Sequence, residues 1–127
     1  MDEYTKEELL EAIRAITSMI NKGEKAQLKL KADTWQHKMT VQALKANYIA
    51  IALLRSELET DSAGRAGKGK YSVEELENAL AAATATISRV EKVQPKFAAG
   101  TPQCTLAVRR IKALNISLEL IKRELNS

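Results

Sequence analysis

His37 and Cys104 have the most reactive side chains of this sequence, and each residue type occurs only once. Imidazole and thiol groups can ligate zinc or take part in nucleophilic catalysis. Zinc takes four ligands, so these two residues would need Asp or Glu side chains beside them. No nucleophile with a matching base, Gly-rich cofactor fingerprint or carboxylate-rich metal motif accompanies them. The sequence therefore predicts a protein that is not an enzyme and needs no cofactor or metal.

Excess positive charge is the other chemical feature, and it lies in the second half of the chain. The net charge is +4, and residues 1–60 contribute none of it. Phosphate binding usually needs many cations on one face, and the positions that match Arg109 and Arg110 in the first half are Gln42 and Ala43. Nucleic-acid binding is therefore the less favoured alternative, and its candidate contacts are Arg65, Lys68, Lys70, Arg109, Arg110 and Lys112.

The two halves of the sequence repeat each other at a constant offset of 67 residues. Residues 4–58 align with residues 71–125 without a gap, and 22 of the 55 pairs are identical. Identity of this extent predicts a tandem duplication. Several polar residues kept in both copies could be functional or structural, among them Glu24/Glu91, Lys25/Lys92, Gln27/Gln94, Thr34/Thr101, Gln36/Gln103 and Lys45/Lys112.

Each copy has the signals of an antiparallel pair of helices. Thr5 and Ser72 each precede a Glu by three residues, which is the capping-box pattern. A second cap follows within each copy, at Thr34 and at Thr101. Gly100 can end a helix and Pro102 can begin the next one. Since a short break after a long helix implies an antiparallel return, each copy should be a helical hairpin. Pro95 would remove a helical hydrogen bond, so the third helix should kink or end near 91–94.

Residues 59–70 join the two copies. This segment contains three glycines and no large apolar side chain, a composition typical of a flexible linker. Fully extended, it could span about 40 Å, the length of a helix of about 27 residues. The sequence therefore leaves the relative direction of the two hairpins open.

The second helix of each copy has apolar residues on two opposite faces, so a single hairpin cannot bury both. Either the other copy covers the second face, or part of it associates with a second molecule. Trp35, beside the first turn, could be a core edge or a contact residue. The possible interaction face consists of Ile49, Leu53, Ile116 and Leu120.

These patterns together predict an all-α, up-down-up-down four-helix bundle with pseudo-twofold symmetry. Residues 1–127 would form one domain, made of hairpin repeats 4–58 and 71–125. No apolar run approaches the ~20 residues that span a bilayer, so no membrane association is expected. The N-terminus lacks the layout of a secretory signal, and a single Cys suits a reducing interior. We therefore expect a cytoplasmic protein.

Three short strings recur in both copies and carry a resemblance to a known group of proteins. They are Glu-Lys-x-Gln at 24–27 and 91–94, Asp/Gly-Thr-x-Gln-His/Cys at 33–37 and 100–104, and Leu/Ile-Lys-Ala-x-x-Ile at 44–49 and 111–116. The sequence resembles short uncharacterised helical-hairpin proteins of Gram-positive bacteria. Cys104, where the first copy has His37, departs from that pattern. The resemblance implies a helical hairpin and no known activity.

Without a catalytic constellation, the favoured function is that of a non-catalytic interaction or scaffold protein. Its surface would use the turn ends of the hairpins or the second apolar face. A protein partner and self-association both stay open.

Duplication of a hairpin predicts how one half behaves alone. A hairpin of about 55 residues buries too little surface to be stable by itself, whereas fusing two copies gives their association a high effective concentration. We expect the fragment 1–60 to be unfolded or dimeric, as measured by circular dichroism and sedimentation. A folded, monomeric fragment would contradict the intramolecular bundle.

Overall fold

A computed structural model describes residues 4–59 and 71–126 of the chain. Within these residues the chain forms four long helices and no strand. A single 3-10 turn, Gln94–Lys96, follows the third helix. The helices are α1 (Lys6–Lys29), α2 (Trp35–Glu59), α3 (Val73–Val93) and α4 (Pro102–Leu125). None of the four is long and apolar enough to cross a membrane.

The first helix of each hairpin begins at a complete capping box. The Thr5 hydroxyl accepts the Glu8 backbone N–H at 3.0 Å, and the Thr5 N–H donates to the Glu8 carboxylate at 2.9 Å. Ser72 and Glu75 make the same two bonds at the same distances. These bonds satisfy N–H groups that a helix start leaves without an intrahelical partner. The two predicted capping boxes are therefore confirmed.

Both hairpin turns reverse the chain with a left-handed residue directly before a Thr cap. Asp33 has φ 77° and Gly100 has φ 85°, a region that Gly adopts without strain and Asp tolerates better than most residues. The α4 helix then begins with Pro102, as predicted. The third helix gives way to the 3-10 turn around Pro95, which confirms the predicted break near 91–94.

The two hairpins point the same way, which the sequence left open. Arg123, near the end of α4, lies 5.6 Å over the ring of Tyr4, which precedes α1. Its guanidinium also lies 3.5 Å from the carboxylate of Glu57, near the end of α2. The helix ends next to the chain termini therefore meet at one end of the bundle, here called the terminal end. Both hairpin turns lie at the opposite end, here called the turn end.

The contacts between helices follow the pseudo-twofold symmetry of the bundle. Exchanging α1 with α3 and α2 with α4 gives the same set of neighbouring helices. Each of α1 and α3 packs against both α2 and α4, and α2 and α4 also touch across the diagonal. This up-down-up-down bundle with pseudo-twofold symmetry is the predicted fold. Residues 67 apart are buried in pairs, including Leu9/Leu76, Ala12/Ala79, Ala46/Ala113, Leu53/Leu120 and Leu54/Ile121. Common origin of the two halves stays a prediction, with which this pairing agrees.

The second apolar face of α2 and α4 lies inside the bundle. Ile49, Leu53, Ile116 and Leu120 are all buried and belong to one core cluster. Each hairpin covers the second face of the other, because neither hairpin can bury it alone. The prediction that these four residues form an interaction face is therefore wrong for the folded chain. Of the predicted linker 59–70, all but Glu59, the last residue of α2, lies outside the described residues.

Leu53 tests the assignment of this face to the core. We expect Leu53→Ala to lower the free energy of unfolding by ~2–5 kcal/mol, because truncation of a buried Leu leaves a cavity. The matched control is Leu28→Ala, since Leu28 is 87% exposed and its truncation should change stability by less than ~0.5 kcal/mol. Urea denaturation measures both, and equal effects would contradict the assignment.

Candidate functional site

The repeated Thr residues of the turns serve as helix caps. The Thr34 hydroxyl accepts the His37 backbone N–H at 3.2 Å and donates to the Lys31 carbonyl at 2.7 Å. Thr101 accepts the N–H of Cys104 at 3.3 Å and donates to the Ala98 carbonyl at 2.7 Å. Their conservation between the copies is thus explained by local backbone geometry.

His37 and Cys104 do not form a recognisable metal centre. Both residues are half-buried at the start of the second helix of their hairpin. In the parts of the chain that the structure describes, no three His, Cys, Asp or Glu residues are grouped so that they could hold a metal ion. What the two positions share is a backbone N–H bonded to the hydroxyl of the Thr cap three residues earlier.

One kept glutamate links the two helices of the first hairpin. The Tyr48 hydroxyl donates a hydrogen bond to the Glu24 carboxylate. This hydrogen bond, together with burial and the nearby negative charge, raises the pKa of Tyr48. The second hairpin has Glu91 and Asn115 at the matching positions. Since the tyrosine is not repeated, this pair is a feature of the first hairpin only.

The predicted nucleic-acid contacts that the structure describes, which all lie on α4, do not form one face. Arg109 and Lys112 line a small cleft together with two carboxylates of α1, those of Glu8 and Glu11. Lys112 lies 3.8 Å from the Glu8 carboxylate. Arg110 lines a different cavity, at the turn end. Arg65, Lys68 and Lys70 lie outside the described residues.

The core does not extend to the turn end. No described residue from 17 to 43 is fully buried, and none from 88 to 106. However, α1 continues to Lys29 and α3 to Val93. The two helices thus run past the last buried residues, Ile16 and Ile87. Their final turns therefore contribute no fully buried side chain to the core.

Exposed apolar side chains occur in this part of the bundle, at the ends of three helices. Leu28 is 87% exposed in the last turn of α1, and Trp35 is 69% exposed at the start of α2. Val93 is also exposed, at the end of α3. Segments 22–38 and 89–105, which contain both turns, carry eight Lys and Arg residues against three Asp and Glu. We call Leu28, Trp35 and Val93, with these cations, the turn-end surface.

A cavity of about 370 Å³ opens beside this surface. Its apolar walls come from α3, the 3-10 turn region and α4, and its cationic side chains come from α1, α3 and α4. No carboxylate lines it within the described residues. The lining residues are Lys22, Arg89, Val90, Val93, Phe97, Gln103, Leu106, Ala107 and Arg110.

Two larger grooves on the flanks of the bundle are related by the pseudo-twofold symmetry. One, of about 640 Å³, is lined by Tyr4, Glu8 and Lys112 among others, and the other, of about 550 Å³, by the matching Tyr71, Glu75 and Lys45. Each groove therefore contains charges of both signs. The turn-end cavity differs from them because its charges have a single sign.

Sequence reasoning identified the turn ends as a candidate surface but missed most of its residues. Leu28 and Val93 carry no distinguishing signal in the sequence, since single apolar residues near a helix end are common. Arg110 was interpreted as part of a basic stretch. The available signal was its match to Ala43 in the first copy, which marks a position where the two halves differ in charge.

A comparison of the chain with protein-family models, curated proteins and solved structures found no match. The resemblance to helical-hairpin proteins of Gram-positive bacteria stays a prediction.

The ion pair at the flank of the bundle gives a pH-dependent prediction. The hydrogen bond from the Thr5 backbone N–H lowers the pKa of Glu8. The charge of Lys112 lowers it further, whereas burial raises it. The pKa of Glu8 is lower in the folded state than in the unfolded state, so its ionised carboxylate stabilises the fold. This stabilisation is complete above the unfolded-state pKa of about 4.3, and it is lost as the pH falls through the folded-state pKa.

We expect Lys112→Gln to raise the pKa of Glu8 while leaving it below that of an unfolded glutamate, since the Thr5 bond remains. Carboxyl NMR titration measures the shift. Arg109→Gln, one turn away on the same helix, is the matched control and should have the smaller effect. A larger effect of the control would contradict the pairing of Glu8 with Lys112.

Proposed function

We propose that this chain is a non-catalytic helical interaction protein, and that its turn-end surface binds an acidic partner protein. The observation that carries this proposal is the early end of the core. Helices α1 and α3 extend beyond Ile16 and Ile87 without burying another residue completely. Apolar side chains at the ends of these helices and at the start of α2 therefore stay available for a partner.

The nature of the exposed side chains supports a protein partner. Aromatic and aliphatic anchors surrounded by polar residues are typical of protein interfaces, and Trp is enriched among the residues that dominate binding. Trp35 and Leu28 are the two most exposed large apolar residues of the described chain. The scattered exposed residues Val73 and Val108 lie outside the turn-end surface.

The charge of the turn end supports an acidic partner. Eight basic side chains against three acidic ones give segments 22–38 and 89–105 a net charge of +5. This exceeds the net charge of the whole chain, which is +4, so the rest of the molecule is close to neutral. A local field of this kind steers and orients an oppositely charged partner.

Nucleic-acid binding has weaker support from its own candidate residues. Base-independent binding of DNA or RNA needs cations arranged along a phosphate backbone. Of the three candidates on α4, Lys112 is paired with Glu8, and Arg110 lines the turn-end cavity. Arg109 is exposed but shares its cleft with two carboxylates.

The proposal also includes a cytoplasmic location and an origin by duplication. A single Cys is suited to a reducing compartment. Two copies of an ancestral hairpin would have associated through their second apolar faces, and fusion would have made that association intramolecular.

Trp35 is the only Trp of the chain and reports directly on this surface. We expect titration with a synthetic amphipathic helix of leucine and glutamate to shift Trp35 emission to shorter wavelength, because docking removes the indole from water. Leu28→Ser should weaken binding about tenfold, the equivalent of ~1.4 kcal/mol. The matched control Val73→Ser should leave the affinity unchanged.

The same peptide with lysine in place of glutamate separates charge complementarity from simple hydrophobicity, and it should not bind. Equal binding of the two peptides would sink the acidic-partner proposal. A single-stranded DNA that binds instead, with salt-dependent affinity lost in Arg109→Ala/Arg110→Ala, would favour the nucleic-acid alternative.

A further inference from the structure

The guanidinium of Arg110 is the least satisfied polar group of the turn end. Its Nε and Nη2 atoms are buried and have no hydrogen-bond partner among the described residues. These two atoms form the edge of the guanidinium that grips a carboxylate with two parallel hydrogen bonds. A buried donor without a partner costs free energy, and a charged donor costs more than a neutral one.

The surroundings of Arg110 add further positive charge. The cavity that it lines also receives Lys22 from α1 and Arg89 from α3. Three cations with no carboxylate among the lining residues give the cavity a net positive charge. Lys22 and Arg89 are exposed, so water screens much of the repulsion between them. Arg89 donates a hydrogen bond to the Thr86 hydroxyl at 3.2 Å, a neutral group that does not balance its charge.

The first hairpin shows how the same position is built without such a site. Ala43 stands where the second hairpin has Arg110. Leu44 packs directly on the backbone of Gly23, since a Cβ atom at Gly23 would lie 2.9 Å from Leu44 Cδ2. The second hairpin has the larger Val90 in place of Gly23. The cationic cavity is therefore a departure from the symmetry of the bundle.

The rest of the cavity is suited to an apolar body. Five of its nine lining residues are Val, Phe, Leu or Ala. Its volume of about 370 Å³ falls within the range of small-molecule sites, ~300–1,000 Å³. Such sites combine mainly apolar walls with a few polar groups that fix the orientation of the ligand, and Gln103 adds an amide to the three cations.

We propose that this cavity binds a small organic anion with an apolar body, a monocarboxylate amphiphile. The carboxylate would pair with the Arg110 guanidinium, and the apolar body would lie against Val90, Val93 and Phe97. Because Nε and Nη2 are out of reach of water in the free protein, binding requires the flexible Arg110 side chain to turn its edge into the cavity. The ligand would then neutralise part of the positive charge of the cavity.

This site overlaps the proposed partner surface at Val93, Lys22 and Arg89. Leu28 and Trp35 do not line the cavity. Binding of a partner protein and binding of a small carboxylate can therefore be tested separately. Variants of Leu28 test the first and variants of Arg110 test the second.

Octanoate is a suitable probe, with octan-1-ol as the neutral ligand of the same apolar body and acetate as the anion without it. Isothermal titration calorimetry on the full chain should show saturable binding of octanoate. We expect octan-1-ol and acetate to bind at least tenfold more weakly. Arg110→Met keeps the apolar stem and removes the charge, and it should weaken octanoate binding at least tenfold.

Arg109→Met is the matched control, because Arg109 is the adjacent arginine and does not line the cavity. It should bind octanoate as the unmodified chain does, and so should Leu28→Ser. In the absence of ligand, Arg110→Met should have an equal or higher Tm, since it removes an unpaired buried donor.

Four results would overturn the proposal. They are the absence of saturable octanoate binding, equal affinity for octanoate and octan-1-ol, unchanged affinity in Arg110→Met, and a lower Tm of ligand-free Arg110→Met. The last would show that the guanidinium stabilises the fold.

Discussion

The second apolar face of α2 and α4 is the constraint on which the structure depends. Each of these helices is apolar on two opposite sides, and its own hairpin partner covers only one of them. The core forms because each hairpin provides the cover that the other lacks. Leu54 and Ile121, which occupy matching positions in the two hairpins, are both completely inaccessible to solvent. A chain with either hairpin missing would expose a continuous apolar stripe along a helix of about seven turns.

Direct contact between α2 and α4, which lie diagonally across the bundle, requires small side chains. Small side chains at Ala46 and Ala50 in α2, and at Ala113 and Ser117 in α4, are buried at four-residue spacing. Side chains of this size on one face of a helix let another helix approach closely. Ser117 can be accommodated there because its hydroxyl donates to the Ala113 carbonyl at 2.9 Å, so this hydroxyl is not left unpaired.

The same packing explains why the turn end differs from the rest of the molecule. The core is concentrated toward the terminal end, where the Tyr4–Arg123 contact and the Arg123–Glu57 ion pair join the helix ends. Toward the turns, residues 17–43 and 88–106 contribute no fully buried side chain. Regions with fewer buried apolar contacts open more readily, and they are also where function most easily resides. The turn end is therefore both the part with the fewest buried side chains and the part that combines exposed apolar residues with excess positive charge.

Local features of the fold could be predicted because their causes are local. A Thr or Ser three residues before Glu caps a helix because its hydroxyl accepts the Glu backbone N–H and its own N–H donates to the Glu carboxylate. A proline after Gln94 ends a helix by removing an N–H. The helical hairpins and the pairing of their halves follow from such signals and from the repeat. The candidate site was harder to predict because it depends on which residues the core leaves uncovered. Leu28 and Leu53 look alike in the sequence, yet one is almost fully exposed and the other is buried.

The sequence by itself determined the four helices, their caps and the breaks between them, because each rests on interactions between residues a few positions apart. It also determined that the second face of α2 and α4 needed a cover. Only the tertiary structure decided what that cover is and that both turns share one end, since the joining segment is long enough for either direction. It likewise decided that Arg110 lines an apolar cavity while Arg109 remains at the surface. These neighbours differ by about 100° around the helix, and the packing of the other three helices sets the environment that each one meets.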